Sequence, residues 1–257
     1  MAEAAVISAR EGGIARLTLN KPDRRNALDP ELAGALVAAI EQASGDPGVR
    51  VIVLTGAGTA FCAGAKLDGL LDASERGDST TVAATFGAVE DVYRSLLAAR
   101  PPTIAAVNGH ALAGGAGLAT LCDFAIASDR AQFGYPEVLL GLAPGMVMAV
   151  LFRLVGYRVG LELALTGRRV PADEAARIGL VNAVVGPDEL EAAVLKLADQ
   201  LAALSPSALA LTKRWARALG EMDLATAIRQ GRDVSTLAAL TPDARAGIGA
   251  FLHRSAR

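Results

Sequence analysis

Three short runs in this chain contain no polar residue: Val51-Ile-Val-Leu54, Ile104-Ala-Ala-Val107 and Phe124-Ala-Ile-Ala127. A strand without a polar face is stable only where both faces are covered, as in a parallel sheet flanked by helices. A fourth strand is expected at Val181 to Val185, after Gly179. Helical stretches such as Val82 to Ala99 and Gly145 to Val155 lie between the runs, so the expected class is α/β. Val6 to Arg10 and Ile14 to Asn20, split by Glu11-Gly12-Gly13, read as a β-hairpin. Asp29-Pro30-Glu31 is a helix start, with Asp as N-cap and Pro at the first helical position, and the helix runs to about Ala43 with Leu32, Leu36 and Ile40 on one face. No fixed-period repeat is visible.

The tail has a different grammar. From Glu189 to Arg257 four helical segments and no strand are expected: Glu189 to Leu204, Pro206 to Leu219, Leu224 to Leu240 and Pro242 to Leu252. The chain thus divides into an α/β core, 1–188, and a helical C-terminal region, 189–257.

Composition removes several function classes. Of 257 residues 52% are hydrophobic, far too many for a disordered chain, and the length suits one large core with an appendage. Net charge is −2 and the Lys and Arg residues are scattered, so no nucleic-acid footprint is expected. The two cysteines, Cys62 and Cys122, form no CxxC, which points away from a disulfide framework or a Cys-rich zinc site and towards a reducing, cytoplasmic setting. Met1 to Val6 lacks the basic and apolar regions of a secretory signal. The uncharged window Ile104 to Cys122 contains Asn108, His110 and four glycines, which suits a strand, a Gly-rich turn and a short helix better than a membrane span. There is no GxSxG, GxxxxGK[ST], post-strand GxGxxG or HExxH, and no metal is expected.

Two segments carry a matched signal. Leu54-Thr-Gly-Ala-Gly-Thr-Ala-Phe-Cys-Ala-Gly-Ala65 and Val107-Asn-Gly-His-Ala-Leu-Ala-Gly-Gly-Ala-Gly117 each leave a buried strand and reach an Ala-Gly step. Backbone N–H groups at such steps can approach a ligand closely, and one from each turn can pinch a carbonyl oxygen. The second turn opens a helix, which adds partial positive charge. Glycines that merely permit tight packing are the competing reading. In a third segment, Phe133-Gly-Tyr-Pro-Glu137-Val-Leu-Leu140, Glu137 is flanked by apolar residues. A carboxylate in an apolar wall has a raised pKa and can carry a proton near neutrality; an acid at a helix start, stabilised by the dipole, is the alternative.

Taken together these segments resemble the crotonase (enoyl-CoA hydratase/isomerase) superfamily. The matching pieces run in order: Asn20-Lys21-Pro22 with Asn26-Ala27-Leu28, Phe61-Cys-Ala-Gly-Ala65, Asn108-Gly109 with Ala113-Gly-Gly-Ala-Gly-Leu118, Cys122-Asp123, Phe133-Gly with Pro136-Glu137 and Leu140-Gly-Leu, Leu165-Thr-Gly167, Ala175 to Val181, and Gly247 to Leu252. The resemblance implies a spiral of ββα units, a C-terminal region that serves oligomerisation, and a homotrimer or a dimer of trimers. It implies an acyl-CoA thioester substrate passing through an enolate-like intermediate, with CoA carried as part of the substrate and no separate cofactor. Carried over by position, the oxyanion donors are the N–H groups of Ala65 and Gly114, and Glu137 is the general acid/base. Ala63 lies near the adenine, and Arg24, Arg25 and Lys66 can meet CoA phosphates; Lys66 stands where many members have Asp.

One departure bears on the reaction. Hydratases of this family use two glutamates, and the position of the first is Gly117 here. Met146-Val147-Met148 replaces the usual Gly-Gly-Thr and reshapes the acyl pocket. The expected function is hydration of an unsaturated acyl-CoA with a single glutamate. The alternatives are double-bond isomerisation, a weakly active or non-catalytic acyl-CoA-binding paralogue, and decarboxylation of a malonyl-type thioester. His110 reads as a satisfied turn histidine, Cys62 as a small buried hydrophobe and Tyr135 as packing. Asp68 and Glu90 are not expected to supply the missing acid, and Trp215 is expected in the core or at a subunit interface.

Overall fold

The apolar runs and the glycine turns between them fold into two sheets traversed in step. The computed structural model describes residues 3–220 and 222–255, so Met1 and Ala2 of the N-terminal stretch read above lie outside the described residues. β1 (Val6–Glu11) and β2 (Ile14–Leu19) form the expected antiparallel hairpin, turning at Gly12, whose φ of +53° suits glycine. α1 (Pro30–Gly45) follows, and the Asp29 carboxylate accepts from the Leu32 amide at 2.8 Å, as an N-cap should. Then come β3 (Val51–Gly56), β4 (Ala60–Cys62), α2 (Leu70–Glu75) and α3 (Ser79–Ala98). Next are β5 (Thr103–Val107), β6 (His110–Leu112) and α4 (Gly114–Leu121). The third round is β7 (Phe124–Ser128), β8 (Gln132–Gly134) and α5 (Gly145–Thr166), which is broken at Gly156, φ +76°. β9 (Arg169–Pro171), α6 (Ala172–Arg177) and β10 (Ala183–Val185) complete the sheets. The tail is helical, as expected: α7 (Leu190–Ala202), α8 (Pro206–Leu219), α9 (Leu224–Ala239) and α10 (Pro242–Ser255).

Three times the chain runs a long strand, a short strand and a helix, and each round advances one strand in both sheets. This is the spiral of ββα units. The main sheet has the order β1-β2-β3-β5-β7-β10, parallel from β2 onward. The second has the order β4-β6-β8-β9, with β9 antiparallel to β8. The four strands of this second sheet were read from sequence only as glycine turns or connecting segments.

The buried runs alternate between two cores, as the two-residue strand period requires. Ile52, Leu54, Ala105 and Val107 face the core shared with α1, α3 and α4. Val51, Val53, Ile104 and Ala106 face Leu190, Val194, Ala198 and Leu201 of α7. Burial of each large aliphatic side chain contributes about 2 kcal/mol, so α7 is held as firmly as any core helix. Neither α8 nor α9 has a fully buried residue, although Leu209 of α8 still packs against the core beneath α7. No single helix among the described residues is long and apolar enough to cross a membrane.

Candidate active site

The two glycine turns meet. The segment Arg25 to Leu28 runs beside Ala63 to Lys66: the Ala63 amide donates to Arg25 O at 3.0 Å, Leu28 to Gly64 O at 2.7 Å, and Lys66 to Leu28 O at 3.0 Å. Asn26, fully buried, ties the base of this turn down. Its Nδ2 donates to Ala57 O and Ala60 O at 3.0 and 2.8 Å, and its Oδ1 accepts from the Lys21 amide at 2.9 Å. Gly64 adopts φ +89°, which turns the chain sharply before Ala65. The second turn passes through Ala113 at φ +49°, a conformation that an L-residue adopts only when its surroundings impose it, and α4 starts at the next residue.

A Cβ built on Gly114 would lie 3.6 Å from Gly64 Cα and 3.7 Å from the Ala65 nitrogen; one on Gly64 would lie 3.0 Å from the Gly114 nitrogen. The Ala65 and Gly114 amides are thus neighbours, and neither is hydrogen-bonded to another backbone group among the described residues. The two readings of the glycines divide by position. Gly109 and Gly115 serve packing, since a Cβ would come within 2.0 Å of Thr59 O and 2.1 Å of Cys62 O respectively. At Gly64 a Cβ would likewise come within 2.9 Å of Ala113 Cβ and Leu112 O, and only at Gly114 are the contacts with the facing turn ordinary ones, 3.6 Å or more.

Ala65 and Gly114 both border a cavity of about 140 Å³ lined also by Glu137, Phe86, Val89, Leu142 and Val147. Glu137 sits in a short 3-10 turn, Pro136–Leu140, between β8 and α5. Burial pushes its carboxyl above the ordinary glutamate range, outweighing its own backbone N–H. Oε2 is buried without a hydrogen-bond partner. Glu137 thus meets both sequence readings, an acid in the first turn of a helix and a carboxyl raised by burial, but its wall differs from the one expected. Leu139 and Leu140 are 67% and 63% exposed and Val138 is also exposed; of these neighbours only Leu140 borders the cavity, and the apolar surroundings come mainly from α3 and the start of α5. Of Met146-Val147-Met148, Met146 and Val147 line the cavity as expected, and Met148 does not.

Ala63 is half-buried at the cavity edge. Arg24 and Arg25 are exposed, and the Arg24 guanidinium lies 3.7 Å from Asp29. Lys66 is half-buried and ion-paired with exposed Asp68 at 3.2 Å. Glu90 is exposed and paired with Arg94, so neither Asp68 nor Glu90 faces the cavity. Cys62 is fully buried and its thiol is pushed up to about 12, which keeps it protonated and inert. His110 corrects the reading of a satisfied histidine: its Nδ1 is buried without a partner, and it does not border the cavity. Tyr135 is buried, yet its Oη also lacks a partner. Trp215, half-buried, packs against Gly231 of α9.

Several cavity residues, among them Phe86, Val89, Tyr93 and Leu142, were not singled out from sequence, and of these only Tyr93 carries a polar group. Tyr93, from α3, is buried, borders the cavity and donates from Oη to Gly114 O at 2.7 Å. In sequence it is one more apolar position in the run Val89, Val92, Leu96, and nothing there marks its hydroxyl. Among the described residues no group of three His, Cys, Asp or Glu is placed to hold a metal ion. The arrangement can bind a carbonyl oxygen at two amides, hold an apolar chain, and exchange a proton through one carboxyl group.

Comparison with known proteins gives a consistent result. The family model described as enoyl-CoA hydratase/isomerase matches residues 9–256. A putative enoyl-CoA hydratase of Thermus thermophilus is 38% identical over 249 residues, covering 97% of this chain and 98% of that protein. A crotonyl-CoA hydratase of Syntrophomonas wolfei is 38% identical over 257 residues, covering 99% and 97%. The crystal structure of an enoyl-CoA hydratase of Mycobacterium smegmatis superposes with a TM-score of 0.92 at 31% identity, covering 98% and 97%.

Proposed function

The chain belongs to the enoyl-CoA hydratase/isomerase family, and from that premise we propose that it adds water across the double bond of a 2-enoyl-CoA thioester. The observation that carries the proposal is the Glu137 carboxylate, half-buried with an unpartnered oxygen, in the same cavity as the Ala65 and Gly114 amides. The thioester carbonyl accepts from both amides. As the water oxygen bonds to Cβ, the π pair moves toward Cα and the carbonyl oxygen, whose growing negative charge the amides stabilise. Glu137, ionised, takes the water proton and returns it to Cα, so one carboxyl group serves as base and then as acid. The acyl chain lies against Phe86, Val89 and Val147. Arg24, Arg25 and Lys66 meet the CoA phosphates, and Ala63 borders the adenine. The proposed reaction needs no cofactor apart from the CoA of its substrate, and its proposed setting is the cytoplasm.

The isomerase reading draws on the same cavity. A single carboxylate among apolar side chains can move a proton from one carbon to another without water. A panel of straight and branched 2-enoyl-CoA and 3-enoyl-CoA esters, followed by product identity, separates the two. The expected result is 3-hydroxyacyl-CoA from 2-enoyl esters, with turnover cut about 10³-fold in Glu137→Gln. Double-bond migration alone establishes the isomerase. Neither reaction in the wild type leaves the acyl-CoA-binding paralogue, and activity that survives Glu137→Gln removes the proton-carrier assignment.

We also propose that α9 and α10 pack against other copies of the chain in a homotrimer or a dimer of trimers. Leu224, Ile228 and Leu237 on α9, Leu240 just after it and Ile248 on α10 are all more than half exposed, an apolar surface that a monomer rarely presents to water.

A further inference from the structure

Hydration needs a water fixed in line with Cβ, and Glu137 supplies only one partner for it. The surroundings of Gly117 point to a second polar group at the cavity. That glycine is buried in α4, and a Cβ built there would lie 1.9 Å from Tyr93 Oη, 2.6 Å from Tyr93 Cζ and 2.4 Å from Val147 Cγ1. No side chain fits at 117 while Tyr93 is in place: the phenol occupies the space that any residue larger than glycine would fill. Tyr93 comes from a different element, α3, and lines the same cavity as Glu137, Ala65 and Gly114. Its one proton is committed to Gly114 O at 2.7 Å, so Oη retains its acceptor capacity. Burial and the nearby Glu137 charge both push the phenol well above its usual range, so it stays neutral and is not a base.

Resting on the hydratase reading, we propose that Tyr93 Oη holds the attacking water across the cavity from Glu137, and that Gly117 is glycine because the phenol takes its space. The water donates one hydrogen to Tyr93 Oη and one to the Glu137 carboxylate, which leaves an oxygen lone pair for Cβ. Its oxygen forms the bond to Cβ, the proton facing Glu137 passes to that carboxylate and then to Cα, and the enolate pair forms the Cα–H bond. Tyr93 begins and ends protonated and exchanges nothing.

The same hydroxyl braces Gly114, so the test must separate water holding from support of the turn. Tyr93→Phe keeps the ring and removes Oη. Two rates are measured on wild type and variant: hydration of crotonyl-CoA, and exchange of the Cα hydrogen of butyryl-CoA in D2O. The exchange uses the amides and Glu137 but no bound nucleophile. The expected result is a fall in hydration kcat of about 10²-fold with crotonyl-CoA KM within about threefold and Cα exchange within about threefold. Equal loss of both rates shows that Tyr93 only supports Gly114, and loss of neither shows that it holds nothing; each overturns the proposal and leaves the hydratase reading standing. A wild type that exchanges Cα hydrogen but never hydrates crotonyl-CoA or the other 2-enoyl esters refutes the hydratase reading itself, and the water site with it. As a second variant, 3-fluorotyrosine at 93 keeps the shape and the donor to Gly114 but weakens the acceptor. The expected result is a severalfold slower hydration at unchanged exchange, and unchanged hydration contradicts the water site.

Discussion

Glu137 carries its charge where the surroundings disfavour it, and the consequences follow in sign. Its carboxyl is raised above the ordinary glutamate range by burial. The folded chain therefore holds this proton more tightly than the unfolded chain does. Ionisation costs stability progressively as pH rises from the unfolded value, about 4.3, through the raised folded value, and the full cost is present above it. Glu137→Gln is therefore expected to melt at a higher temperature than wild type at neutral pH, with the gap closing as the pH falls towards the unfolded value; a variant that melts lower at neutral pH contradicts this. Activity moves with the same ionisation. Because Glu137 must be ionised to accept the water proton, kcat/KM is expected to fall on the acid side with an apparent pKa above that of free glutamate. A profile flat down to pH of about 4.5 would remove the buried base. This residue was legible in the sequence because an acid stood beside Val138, Leu139 and Leu140, yet two of those neighbours face solvent away from the cavity. The wall comes from residues some fifty positions earlier and ten later in the chain, and no local window shows that. Tyr93 was illegible for a related reason: on a helix of buried aliphatics, a phenol is distinguished only by what its hydroxyl touches.

The main-sheet strands, the hairpin and the helical tail were legible because each has a period or a cap: unbroken apolar runs for β3, β5 and β7, and Asp29 for α1. The second sheet was not. Its strands are three residues each, shorter than any alternation can mark, and two of them, β4 and β6, lie within the glycine turns. Within α5 the non-helical Gly156, φ +76°, ends the first helical stretch at Val155 as expected, while the second stretch, up to Thr166, has no mark of its own in the sequence. The clasp between Asn26 and the first turn is the element-level feature with the largest expected effect. Asn26→Ala removes three hydrogen bonds from a fully buried site and leaves Ala57 O, Ala60 O and the Lys21 amide to find other partners. The expected loss is about 3 kcal/mol by chemical denaturation, with the slope of the transition unchanged. Because Ala63, Gly64 and Ala65 follow directly from the clasped segment, residual folded protein is also expected to bind thioester more weakly. A loss below about 1 kcal/mol would mean that the clasp does not hold the turn.

Across the molecule, one ionic cluster docks the outer tail on the sheets. Asp123, at the entry to β7, accepts from the Thr103 amide and hydroxyl, from Arg217 at 2.9 Å, and pairs with Lys213 at 2.6 Å. Lys213 is almost wholly buried and also donates to Pro101 O. Removing one partner of a buried pair strands the other charge, and the expected cost of Asp123→Ala is about 3 to 5 kcal/mol. Hydrogen exchange is expected to quicken in α8 while the main sheet keeps its protection; uniform loosening, or none, would show that α8 is not held there. A helical tail was legible from its caps and apolar spacing, but not this division within it, in which α7 completes a core and α9 and α10 present apolar side chains outward. The Cys122-Asp123 step was visible only as part of a family resemblance, since ion pairs 90 and 94 residues apart leave no local trace.

The claim beneath the whole account is that the Ala65 and Gly114 amides receive one carbonyl oxygen beside Glu137. A crystal structure of the protein with acetoacetyl-CoA tests it most directly. The account predicts the thioester oxygen within hydrogen-bond distance of both amide nitrogens, with Cα and Cβ facing Glu137 and Tyr93. A thioester oxygen that touches neither amide, in a subunit with the CoA moiety bound, would contradict it.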